Sequence, residues 1–321
     1  MRGAAILRAA VVVMALGALA ACEIAPPAPG VKPRARPASV KPPPPPQATG
    51  PSEKSRALAA YYTRVETNLV GQGLLRTDGG GPDTPWTDTD LLRNFERIAF
   101  YDEYARNRGL TRSDGKPGGL RKWTGPVRMA VEFGAAVPED QRSVDRGTVA
   151  RYADRLARVT GHPISIGAGA DANFHVLIMG EDDRAEAVRR IKTLVPNINP
   201  SSLALFDNLP RSIHCLVVAF AGTGEDHTYR RAIAFIRAEH PPLLRKSCVH
   251  EELAQGLGLA NDSPRARPSI FNDDDEFALL TTQDEELLRL LYSPRLRPGM
   301  SEAEARPILR DLIAARGGGS S

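Results

Sequence analysis

Residues 247–292 read SCVHEELAQGLGLANDSPRARPSIFNDDDEFALLTTQDEELLRLLY, and the fold turns on how this stretch is read. Val249, Leu253, Leu257 and Leu259 recur at spacings that place them on or near one helix face. Gly258 stands where a helix can stop on a left-handed residue. A polar loop follows, then Ser269-Ile270-Phe271-Asn272, then an amphipathic helix from Asp284 to Tyr292. Thr281 and Asp284 have the spacing of a capping box at the head of that helix. His250-Glu251 spells the start of a zinc motif, but four residues on stands Ala254, which has no donor atom. HEELA is therefore not a metal motif, because residues i and i+4 must both carry ligands on one helix face.

With Leu257-Gly258-Leu259 as anchor, the layout resembles the active-site half of metzincin-type, matrixin-like zinc proteases. Their motif is HExxHxxGxxH, with a Met-turn and a last helix ending near a Tyr. The resemblance puts Glu252 on the catalytic Glu and Glu251, Gln255 and Asn261 on the three His ligands. Phe271 falls on the Met of the Met-turn, and Tyr292 on the closing Tyr. Every imidazole ligand is missing. A carboxylate can bind zinc, whereas the amide oxygens of Gln255 and Asn261 suit harder cations.

The stretch also resembles the domain-of-unknown-function family 2927 found on bacterial envelope proteins. The residues that carry this are Cys248, Glu251-Glu252, Gln255 to Leu259, Asn261-Asp262, Ser269 to Asp273 and Leu288 to Met300. The resemblance extends over about residues 90–312. It implies a class without an established activity.

The chain opens MRGAAILRAAVVVMALGALAAC. Arg2 and Arg8 make a positive start, an apolar core follows, and Leu19-Ala20-Ala21-Cys22 has the form of a bacterial lipobox. The core is short for a membrane span and ends in small residues, as signal peptides do. Cys22 is the expected lipidation site, and buried acyl methylenes at about 0.8 kcal/mol each would anchor the chain to a membrane. An ordinary leader cut beside a chance cysteine is the alternative. Glu23 after the cysteine resembles lipoproteins sorted to the outer membrane, so the expected location is the envelope, facing the periplasm. The proline-dominated run that follows reads as a disordered, extended tether of about 3.1 Å per residue. The net charge of +4 is modest, and nothing points to nucleic acid.

Beyond Cys22 only Cys215 and Cys248 remain. Two thiols in an oxidising compartment are a natural pair, with two buried free thiols as the alternative. Ser55 to Leu69 reads helical, with Leu58, Tyr62, Val65 and Leu69 on one face. Asp88 or Thr89 could cap a second helix whose inward positions are Leu92, Phe95, Ile98, Ala99 and Tyr104. From Trp123 on, strands at 126–133, 173–179 and 213–220 alternate with helices at 144–160 and 185–194. Residues 228–238 fit a strand or a helix, and the metzincin likeness favours a strand near 232–236. A last helix spans 301–313, boxed by Ser301 and Glu304.

The expected fold is α+β: a metzincin-like (zincin-like) domain with a mixed twisted sheet and a motif helix. The expected organisation is a leader over 1–21, a tether over 22–54, a helical segment over 55–122, the metzincin-like domain over 123–315 and a frayed tail over 316–321. Glu252 is the general base if a reaction occurs; otherwise Glu251 and Glu252 cap or pair with basic neighbours such as Arg245 and Lys246. Gln255, Asn261 and Asp262 read as a polar brace, or with Glu251 as a hard-cation site. The run Asp273 to Glu276 reads as a solvated loop. No cofactor is expected; zinc or a hard divalent cation is the exception the ligand set leaves open. The reading is a non-catalytic envelope lipoprotein holding a protein, peptide or cell-wall ligand in its cleft. The alternative is a metal-dependent peptidase with unusual ligands.

Overall fold

The computed structural model describes residues 50–104, 110–167, 169–222, 227–272 and 274–317. The leader, Cys22 and most of the expected tether lie outside these residues. No helix among the described residues is long and apolar enough to cross a membrane.

The fold is α+β, with a mixed five-stranded sheet and eight α-helices among the described residues. The strands are β1 (Val127–Phe133), β2 (Ile164–Ile166), β3 (Phe174–Met179), β4 (Cys215–Ala221) and β5 (Tyr229–Arg237), in the spatial order β2-β1-β3-β5-β4. All neighbours pair in parallel except β4, which runs antiparallel to β5 and forms an edge. Phe174 pairs with Met129 on one side and Ala232 on the other, and Cys215 pairs with Ile236.

β3 is buried at all six positions, as a central parallel strand covered on both faces should be. On one face Met129, Phe174, Val176, Ala232 and Ala234 pack with residues of α2 (Asp88–Phe100), α3 (Glu139–Thr160), α6 (Pro242–Gln255), α7 (Thr282–Leu291) and α8 (Glu302–Gly317). On the other, Leu177, Met179, Ile233 and Phe235 meet α4 (Arg184–Leu194) and α5 (Pro200–Asp207). α2 from the expected helical segment thus shares the sheet's own core: Leu91, Phe95 and Ile98 are all fully buried.

The strands stand where the alternation placed them, and 229–237 is a strand. The helix α1 (Glu53–Gly71) begins two residues inside the expected tether, capped by Ser52. The second helix is capped by Thr87 rather than Asp88 or Thr89, with Asp90 closing the box. It ends at Phe100, so Tyr104 lies beyond it. α3 starts at Glu139, five residues before the apolar pattern, because acidic residues suit a helix N-terminus. α5 was not foreseen, although Asn199 caps it and Pro200 opens it. α8 runs into the expected tail, to Gly317.

Cys215, at the head of β4, is disulfide-bonded to Cys248 in α6, 33 residues away. Cys248 lies within the motif helix. The helix opens at Pro242, seven residues upstream of Val249, the first residue of the apolar pattern. The bond ties the sheet edge to that helix. Replacing both cysteines with alanine is expected to lower unfolding stability by roughly 3–4 kcal/mol on the chain-entropy model. Urea unfolding checks this; an unchanged midpoint would refute it.

Lys122 is buried and donates from Nζ to the carbonyls of Leu291 (2.9 Å) and Ser293 (3.1 Å) at the end of α7. Burial brings its ammonium down to about 8. Between pH 8 and its ordinary range near 10.5 the unfolded chain holds the proton that the folded chain has released. Stability contributed by this group therefore rises with pH across that window. The expected result is a stability difference between wild type and Lys122→Met that changes by about 1 kcal/mol or more between pH 8 and 10. A constant difference would show that burial does not depress this lysine.

Candidate functional site

The antiparallel edge strand and the motif helix enclose a cleft of about 630 Å³. β4 lines it along its whole length. From α6 come Ser247, Glu251, Glu252 and Gln255, and from the loops Asp262 and Asp275. Asp102, Glu103, Tyr104 and Arg121 complete the lining on the side of the α2–β1 connection. Helical spacing explains the α6 contribution, since 247, 251 and 255 recur every four residues.

Glu252 is 3% exposed, and its Oε2 has no hydrogen-bond partner. Burial holds its carboxyl well above the usual carboxylate range, and the charges of Glu251, Asp262 and Glu103 push the same way. Glu251, Glu252 and the Sγ of Cys215 offer atoms within 4.8 Å of one another. That sulfur is committed to the disulfide.

The two amides face different surroundings. Gln255 donates from Nε2 to Asp262 Oδ1 at 3.3 Å, on the cleft. Asn261 is buried and donates from Nδ2 to the carbonyls of Arg97 (3.1 Å) and Asp262 (2.8 Å). It borders a second, smaller cavity beside Arg97 and Arg112. The brace of Gln255, Asn261 and Asp262 is present. Glu251 and Gln255 share the cleft, and Asn261 does not line it.

His250 points away from the cleft, into the core. Its ring stacks on Tyr152 at 3.9 Å, and its Nδ1 accepts the Leu280 N–H at 3.1 Å. Burial drives it down to about 3, so it stays neutral in this position. Arg245 pairs with Asp145 rather than with Glu251 or Glu252: its Nε lies 2.9 and 2.8 Å from the two carboxylate oxygens.

Beyond α6, Gly258 (φ +130°) brings its backbone against the Arg121 carbonyl. Trp123 donates from Nε1 to the Gly256 carbonyl, and Tyr292 from Oη to the Leu257 carbonyl, both at 2.9 Å. Phe271 is fully buried, in a turn closed by the Ser263 N–H on its carbonyl. In the acidic run Asp274 and Asp275 are exposed, as a solvated loop requires, while Glu276 is held by Arg76 and Arg267; Asp275 also lines the cleft. Asp273 lies outside the described residues.

Sequence reasoning missed Asp102, Glu103 and Arg121. Asp102 pairs with Arg121 (Oδ2 to Nη1, 3.2 Å). No local pattern marks these residues, because they reach the cleft only through the packing of the α2–β1 connection.

Fold and site together define an α/β/α-layered protein with an acidic cleft along a sheet edge. The chain belongs to the family described as protein of unknown function (DUF2927), which matches residues 88–311. No curated protein and no solved structure matches it.

Proposed function

We propose that the cleft binds an extended peptide segment without cleaving it, in a lipoprotein held to the bacterial envelope through Cys22. The observation that carries this is the edge strand β4: it is paired only with β5 among the described residues and walls the cleft from end to end. An unpaired strand edge offers a row of backbone donors and acceptors, and an added strand gains affinity from them. A mixed sheet with an antiparallel edge, above a helix bearing the Glu251-Glu252 pair, supports the metzincin-like reading of the fold. The donor set argues for binding over hydrolysis. None of the three ligand positions carries an imidazole, one amide turns to backbone carbonyls, and the nearby sulfur is oxidised.

Panning the full-length protein against a random heptapeptide library tests the reading. The expected result is retained peptides that bind at micromolar Kd and are recovered intact by mass spectrometry after a day. Failure to enrich any peptide would refute the binding role. Cleavage abolished by Glu252→Gln would establish the enzyme instead. Palmitate labelling lost in Cys22→Ser is expected for the anchor.

A further inference from the structure

We infer that Glu251 and Glu252 form a binding site for a hard divalent cation of the calcium, magnesium or manganese class, with Asp262 adding negative charge on the same cleft. It stands independently of whether the cleft takes a peptide. Glu252 is the central observation. The residue is 3% exposed and lines the cleft, and its Oε2 receives no donor from the described residues. Buried polar groups are normally satisfied, so an unmet carboxylate oxygen in a carboxylate-lined cleft points to a cation.

The spacing fits one. Ligand oxygens of Glu251 and Glu252 lie within 4.8 Å of each other, a span that a single ion bridges with bonds of about 2.3–2.6 Å. Asp262 lies on the same cleft with its Oδ1 braced by Gln255, and Glu103 adds negative charge nearby. The one soft atom in reach, Cys215 Sγ, is bonded to Cys248 and is no thiolate. An all-oxygen set selects hard cations over zinc, and the open cleft supplies water for the remaining positions. Of the three ligand positions that the metzincin resemblance offers only Glu251 is used, since Gln255 acts here as a brace and Asn261 lies off the cleft.

The test uses the full-length protein stripped with EDTA and titrated with calcium, magnesium, manganese or zinc chloride. Sites of few ligands bind at about 0.1–1 mM, so 10 mM calcium is expected to raise Tm by about 3–5 °C. Equilibrium dialysis with radioactive calcium should find one ion per chain. Glu252→Gln should abolish both effects, Glu251→Gln should weaken binding at least tenfold, and the exposed Asp207→Asn should change neither. Glu252→Gln removes a buried acid without changing shape, and far-UV circular dichroism verifies its fold. No shift and no bound ion with any hard cation would overturn the assignment. So would a shift that survives in Glu252→Gln, or binding confined to zinc.

Discussion

Replacing Gly258 with alanine is expected to cost at least about 3 kcal/mol of unfolding stability. Two effects add. The residue sits at φ +130°, a region that side-chain-bearing residues rarely enter. A Cβ there would also stand 2.4 Å from the Arg121 carbonyl oxygen and 3.1 Å from Leu291 Cδ2. The first obstacle is backbone and cannot rotate away, so the turn after α6 would have to separate from the segment carrying Arg121. That segment lines the cleft, so peptide and cation binding should weaken with it. Gly71 is the contrast: it ends a helix, its φ is ordinary, and nothing lies within 4 Å of an added Cβ. Gly71→Ala should be neutral or stabilising by up to about 1 kcal/mol. Urea midpoints of the two variants decide the matter, and a Gly258→Ala loss below about 1 kcal/mol would contradict the close approach.

The second large effect is expected from Asp145→Ala. Arg245 and Asp145 are both nearly fully buried and joined through Nε to both carboxylate oxygens, and Arg245 also donates from Nη1 to the His240 carbonyl. Removing the acid leaves a guanidinium in the interior with one carbonyl for company. Breaking a buried pair on one side costs about 3–5 kcal/mol, whereas replacing both partners with apolar groups is often far milder. The double variant Asp145→Leu/Arg245→Met should therefore be more stable than Asp145→Ala alone. Equal or greater loss in the double variant would show that the pair itself stabilises the α3–α6 contact.

Much of this was legible in advance because it is local. Thr281 and Asp284 form the capping box that their spacing announces, and Ser301 and Glu304 form theirs. β1, β3 and β4 follow from alternating or continuous apolar runs, and Cys215 and Cys248 are joined as cysteine counting suggested. Errors fell where tertiary packing overrode propensity. β2 is three residues long and exists because β1 pairs with it. The start of α6 was hidden by Arg245, a charge that reads as surface but is buried by Asp145. Tyr104 reads as a helix-face residue, yet the helix stops at Phe100 and Tyr104 lines the cleft.

The amino-acid sequence by itself determined most element types, the caps of α7 and α8 and the family, because helix periodicity, strand alternation and capping depend on near neighbours along the chain. Only the tertiary structure decided which carboxylates share the cleft. Asp102 and Glu103 approach α6 from the α2–β1 connection and Asp262 from the loop after α6, and Asn261, at a ligand-like spacing, turns aside to the Arg97 carbonyl. Charge interaction depends on distance through space and on burial, and neither is written in the spacing of residues along a chain.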